Sequence, residues 1–426
     1  PAGPPPPPPP APRTPRARPH RRPPPPRSRP WARGRCPDDR RRHSCVRSAP
    51  PESRARGTVP GRVVFGGGVA FGASVAYYLT RRGVRPLVVD RARPAAAASG
   101  RAAGFLALDW NAGTPLDELA RASFGLHLEL AEELGAERLG HRPMEALMTA
   151  AADQEELGRY RRLPSPEWLD GNVVVHEAIG DPTTTAQVNP LQFTTALMEA
   201  SVERGAELVS GVVDGLVVAG DGAVGGVSID GMDHPADIVV LALGPWTSQA
   251  QRWLALPQVF GSKSASIVLA AEAPATAVFS EFIARDGARS TIEVYPRQGG
   301  MVYVAGHPEH GALPDDPDEI RPSDEACDEL QRVAGVHSTA LRAAEVVGRS
   351  ACFRPLTVDG VPLIGPVPGA AGAYLATGHA SWGILNAPAT GLMITEMIVD
   401  GESRSVDAGP FAVSRLPAGR VVPNTP

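Results

Sequence analysis

Two glycine-rich segments carry the residue types that could hold a phosphorylated ligand and a flat ring. The first runs Arg62-Val63-Val64-Phe65-Gly66-Gly67-Gly68-Val69-Ala70-Phe71-Gly72, and the stretch after it closes on Leu87-Val88-Val89-Asp90. Glycines at Gly66, Gly67, Gly68 and Gly72 would let backbone approach a pyrophosphate. A helix starting there would turn free N–H groups and a positive dipole end toward it. Asp90 would then accept hydrogen bonds from ribose hydroxyls. The second segment runs Ala376-Thr377-Gly378-His379-Ala380-Ser381-Trp382-Gly383-Ile384-Leu385-Asn386-Ala387-Pro388 and on to Gly391. Backbone at Gly378 and Gly383 would let a ring lie close. Pro388 is expected in the first helical turn, where a missing N–H costs nothing, so that the helix aims its N-terminal dipole at the ring. His379 is either an acid–base group beside that ring or a packed, hydrogen-bonded one.

These residues need particular elements behind them. Residues 63–65 read as a short strand, 72–80 as a helix ended by Gly83, and 86–89 as a second strand, which is the βαβ unit of a dinucleotide fold. The fingerprint is imperfect. Counted back from the helix it falls on Gly67, Val69 and Gly72, so an isopropyl group stands where pyrophosphate should approach backbone; counted from Gly66 and Gly68, its third position is Phe71. Residues 237–244 read as a buried strand ending in a turn, and 293–296 and 301–304 as a hairpin around 297–300. Together with 140–180 this hairpin is expected to form a sheet over the ring. Residues 266–271 read as a strand just after Lys263, the only lysine in the chain. Lys263 either projects into the site or marks the strand's edge, and Trp382 and Tyr295 either line a pocket or pack.

The run Arg354-Pro355-Leu356-Thr357-Val358-Asp359-Gly360-Val361-Pro362-Leu363-Ile364-Gly365, followed by Gly378-His379 and the stretch from Gly383 to Gly391, resembles the D-amino-acid-oxidase (DAO) family, with its glycine oxidase and sarcosine oxidase branch nearest. The resemblance extends to Ala186-Gln187-Val188-Asn189-Pro190, to Gly205-Ala206-Glu207-Leu208 and to Ala236-Asp237-Ile238-Val239-Val240-Leu241-Ala242-Leu243-Gly244-Pro245-Trp246, and so spans most of residues 61–402. A narrower block, Ser99-Gly100-Arg101-Ala102-Ala103-Gly104-Phe105 with Leu119-Ala120-Arg121-Ala122-Ser123-Phe124-Gly125-Leu126-His127, is similar to a group of oxidoreductases in fungi and plants.

The resemblance implies FAD as cofactor. It places Ser99, Gly100 and Arg101 around the pyrophosphate and ribityl chain, Val213 or its neighbour Val212 and the turn at Gly244 by the adenine, and Gly378, Gly383, Ile384 and Leu385 at the ring. It also implies that Arg354 grips a substrate carboxylate, the other reading being a structural ion pair. Cys352 and Asp359 fall in register with sarcosine oxidases, whose matching cysteine is bonded to the flavin; a cysteine that merely fills buried space is the alternative. Leu385 stands where those enzymes use a lysine for the carboxylate, so sarcosine is not the expected substrate.

Residues 1–60 differ from the rest, with 15 Arg, 20 Pro, no Lys and only Asp38, Asp39 and Glu52 as acids. That composition predicts disorder, with an organelle transit segment as the alternative. The chain does not begin with Met, and its natural start is expected upstream. The remainder holds 27 basic against 43 acidic residues, which argues against nucleic acid as a partner. No run of apolar residues is long enough for a spanning helix. Four cysteines, Cys36, Cys45, Cys327 and Cys352, show no metal-ligand spacing and fit a reducing compartment, the cytoplasm, unless the Arg-rich segment is a transit sequence.

The expected fold is α/β. A Rossmann-type FAD-binding domain drawn from 61–140, 181–250 and 349–402 would interleave with an antiparallel or mixed-sheet substrate domain from 141–180 and 251–348, leaving a tail at 403–426. The expected reaction is oxidation of a C–N bond in a small amine or amino acid by hydride transfer to flavin, with oxygen or another acceptor reoxidising it. The alternative, favoured by Val69, is a non-catalytic scaffold of the same fold in membrane trafficking or complex assembly.

Overall fold

A computed structural model describes residues 63–67, 69–154, 157–220 and 222–419; Gly68, residues 1–62 and the end of the C-terminal tail lie outside the described residues, with the expectations made for them. Short runs of β-branched and aliphatic residues make the first sheet. Val63, Val64, Leu87, Val88, Val239, Val240 and Leu241 are all buried, as strands covered on both faces must be. The six strands lie in the order Leu363–Pro366, Ala373–Thr377, Ile238–Leu241, Val63–Gly66, Leu87–Asp90 and Glu207–Ser210, and only Leu363–Pro366 runs antiparallel to its neighbour.

Helices cover one face of this sheet. Ala70–Arg81 is buried from Ala70 to Thr80, which is why its apolar residues show no single stripe. Pro190–Glu203 and Gly383–Val399 pack against it, and Asp117–Leu134 packs against Gly383–Val399. Asn189 starts Pro190–Glu203 by accepting from Leu191 and Gln192 N–H, with Pro190 at the first helical position. On the other face, Val224, Val227 and Ile229 of a three-stranded antiparallel sheet join Val64, Leu87, Val239 and Leu241 in one apolar cluster.

The second sheet has seven strands in the order Val346–Leu356, Phe260–Ala270, Met301–Glu309, Arg289–Arg297, Thr276–Ile283, Glu145–Ala152 and Val173–Gly180. It is antiparallel except between Thr276–Ile283 and Glu145–Ala152, so the sheet is mixed. The hairpin forms, with Arg297 opposite Met301. Side-chain alternation sorts this sheet. Ile292, Val294, Val302 and Val304 pack toward the helix Asp324–His337, while Tyr295 and Tyr303 face the other way. Val346–Leu356, which spans residue 349, pairs with Phe260–Ala270 in this second sheet, and its last residue also bridges His379. Among the described residues no helix is long and apolar enough to cross a membrane.

Candidate active site

A crevice of two joined lobes, about 80 and 320 Å³, runs from the ends of the parallel strands to the face of the second sheet, with Val69 and Ala97 on the walls of both. The smaller lobe is lined by Gly66, Gly67, Asp90 and Val213 together with Trp246 and Gln249. Two glycines close the turn above it. Gly67 has φ +106°, and a Cβ there would lie 2.5 Å from Ala242 O; a Cβ on Gly72 would lie 2.1 Å from Gly67 O. Only glycine lets the strand, the turn and the helix Ala70–Arg81 meet this closely. Val69 keeps an ordinary extended backbone, φ −75° and ψ 171°, lines both lobes and packs against the core of the helix layer. Ser99 Oγ accepts the Ala70 N–H at 2.9 Å, which fixes the loop after Asp90 to the helix start.

The larger lobe brings Ser99, Gly244, Cys352, Arg354, Gly383 and Ile384 onto one wall system. Cys352 and Arg354 share a face of their strand, whereas Ala351 and Phe353 pack on the opposite one. Arg354 Nη1 donates to Ser381 Oγ at 2.9 Å, and its buried Nε has no partner among the described residues. From the second sheet Glu293, Thr291 and Tyr303 line the same lobe. Behind them Phe105, Trp110, Phe279 and Tyr295 form an aromatic cluster, so Tyr295 packs rather than lines; Trp382 meets Trp110 edge-on. Burial pushes the Cys352 thiol up, with Arg354 and Arg101 pulling more weakly the other way.

Several expected residues lie off the walls. The Arg101 guanidinium lines neither lobe and bonds instead to Ile320 O, Ala351 O and Asp318 on the neighbouring strand and loop. His379 stands behind Phe71, ring centroids 4.0 Å apart, with Nε2 against Thr390 Oγ1; burial lowers its pKa to about 3, so the ring is neutral and packed rather than placed for acid–base work. Gly378 packs on Thr357, Gly100 on Ala95 O, and Leu385 sits in the helical core. Lys263 lies on the face away from Cys352 and Arg354 and pairs with Glu309 at 3.5 Å. Asp359 is held by Arg415, which brings its carboxyl down to about 2.

Pro388 is the clearest correction. The helix begins at Gly383, so Pro388 lies inside it and deprives Ile384 O of its intrahelical donor. The neighbouring helix Asp117–Leu134 repairs the gap. His127 Nε2 donates to Ile384 O and Leu385 O at 3.0 and 3.1 Å, and the Ala389 N–H donates to Ser123 Oγ at 3.1 Å. Both carbonyls are acceptors, so the His127 proton sits on Nε2, and burial lowers the ring's pKa to about 3. Ser123 and His127, one helical turn apart, were in the narrower block, but nothing in that block alone says that they face a proline. In the sequence Glu293 reads only as part of a hairpin.

The features fit an extended dinucleotide: a turn that a Cβ would fill, an acid on the nucleotide lobe, and an unpaired guanidinium donor at the far end. Comparison with known proteins agrees. The DAO family model of FAD dependent oxidoreductases matches residues 63–397. A Schizosaccharomyces pombe protein described as a "Putative oxidoreductase" is 29% identical over 379 residues, covering 81% of this chain and 95% of that protein. Glycine oxidase of Geobacillus kaustophilus is 26% identical over 382 residues, 83% of this chain and 96% of that enzyme. The crystal structure of glycine oxidase from the same species superposes with a TM-score of 0.67 at 24% identity, over 83% of this chain and 99% of that one. The chain belongs to the DAO family of FAD-dependent oxidoreductases.

Proposed function

We propose that this enzyme oxidises the C–N bond of a small carboxylate-bearing amine or amino acid by hydride transfer to flavin. One observation carries the reading: Arg354 presents an unpaired, buried Nε on the wall of an open lobe. A buried donor without a partner calls for an acceptor from the ligand, and a planar guanidinium takes a carboxylate through two parallel hydrogen bonds. The amino-acid substrate named in the glycine oxidase relatives supports the same class.

FAD, when bound, supplies the two-electron acceptor and leaves it to oxygen or another oxidant to be restored. The chain's own residues do the rest. Gly66, Gly67, Asp90 and Val213 would hold the nucleotide end, and Ser99, Gly244, Gly383 and Ile384 the ring end. Arg354 would fix the carboxylate so that the adjacent C–H is presented in one orientation. His379 stands behind Phe71, off the lobe walls, so it is not placed to take a proton from the amine, which would arrive unprotonated. The protonated Cys352 thiol lines the ring end without attacking it.

Anaerobic mixing of FAD-loaded protein with small amino acids, N-alkyl amino acids and simple amines tests this. Carboxylated amines are expected to bleach the flavin and simple amines are not. Arg354→Met should weaken the binding of carboxylated amines by about 100-fold, as loss of a buried charge partner does. Absence of bleaching by every carboxylated amine would overturn the reading.

A further inference from the structure

The larger lobe contains an anionic group for which the oxidation described above has no use. Glu293 faces the lobe from the strand Arg289–Arg297, beside Thr291, while Ile292 and Val294 on the same strand point into the core. One carboxylate oxygen, Oε2, accepts the Tyr295 hydroxyl at 2.8 Å. Tyr295 is itself buried, which keeps its phenol protonated and a donor, so the carboxylate is held in place. No ion pair neutralises Glu293 among the described residues, and Arg354, on another strand of the same sheet, makes none with it. Arg354 and Glu293 are thus two opposite charges lining one cavity, each without a counter-ion among the described residues.

The Arg354 charge is answered by a substrate carboxylate. The Glu293 charge needs a cation, and the reacting nitrogen is a poor choice. Hydride leaves the carbon next to a neutral amine, whereas a carboxylate touching that nitrogen would favour its protonated, unreactive form. A nitrogen that does not react suits Glu293 better. We propose that Glu293 is a specificity residue that binds a second, non-reacting cationic group, so that the preferred substrate is an amino acid whose side chain ends in an ammonium or guanidinium. This rests on Arg354 as the carboxylate anchor. It predicts rejection of dicarboxylates, which would place a second negative charge against Glu293.

The test uses FAD-loaded protein and ligands that carry a carboxylate and a terminal ammonium but no α-amine: 4-aminobutyrate, 5-aminopentanoate and 6-aminohexanoate, each against the matching acid that lacks the amine. Binding is measured by calorimetry, so the result does not depend on turnover. At one chain length the amine-bearing acid is expected to bind about tenfold more tightly than the matching acid without the amine. Glu293→Gln, which keeps an acceptor for the Tyr295 hydroxyl, should bring that ratio to parity, and Glu293→Asp should move the best length up by one methylene. Arg354→Met should weaken the acids with and without the terminal amine alike. Parity in the wild type at every length, or a preference that survives Glu293→Gln, would overturn the assignment of Glu293. Binding of the amine-free acids that Arg354→Met leaves unchanged would instead remove the carboxylate anchor.

Discussion

Val69 occupies the position at which a glycine is usual in this turn, and it stands at the waist between the nucleotide lobe and the ring lobe. Its φ of −75° costs nothing, and besides packing against the helix-layer core its side chain would narrow the path along which pyrophosphate would run. Val69→Gly should therefore lower the Kd for FAD by about five- to tenfold, roughly 1 kcal/mol, as read by fluorescence titration of the FAD-free protein. An unchanged or weaker affinity would mean that the isopropyl group packs along the cofactor instead of crowding it. The residue scale is also where sequence misleads most. Arg354 and Arg101 both read as ligand contacts, yet alternation along Val346–Leu356 turns Arg354 into the lobe, whereas Arg101 is captured by Ile320 O, Ala351 O and Asp318. No local pattern distinguishes them, because the partners of Arg101 lie more than two hundred residues away.

At the scale of elements, the helix Gly383–Val399 joins the cavity to the core. Its first residues line the ring lobe, and its interior carries a proline whose gap is filled from Asp117–Leu134. His127→Ala would leave the Ile384 and Leu385 carbonyls buried without that donor, at a cost of about 1–3 kcal/mol in a denaturant titration at pH 7. The pH dependence has a definite sign. The unfolded imidazole takes a proton near ~6.5 and the buried one only at about 3, so as pH falls from ~6.5 the unfolded chain binds the proton first and stability drops. That contribution amounts to about 1.4 kcal/mol per pH unit and should be missing from His127→Ala. An identical pH slope in the two proteins would show that the histidine does not carry it. Strand–turn–helix spacing and the hairpin were readable because they depend on residues close in sequence. The exact start of this helix was not, since proline at a first turn and proline inside a repaired helix look alike until the repairing helix is known.

Over the whole molecule, the two sheets are each assembled from separated stretches: strands at 63–90, 207–241 and 363–377 in one, and strands at 145–180 and 260–356 in the other. The crevice needs both. Its nucleotide end sits on the parallel sheet and its far wall is the mixed sheet, so an account of the site is an account of how they face each other. The α/β class was legible from glycine spacing and from short apolar strands ending at acids or turns. The second sheet's inward face was not, because Glu293, Tyr303 and Cys352 come from three strands whose registers only the folded sheet sets. The visible absorption spectrum of the chain purified without added cofactor tests the central claim, that this crevice holds FAD without a bond to the protein. The account predicts a flavin band, with the colour passing into the supernatant after acid precipitation. No band, even after incubation with FAD, would contradict the FAD site, and colour that stays with the precipitate would contradict the protonated, unattached Cys352.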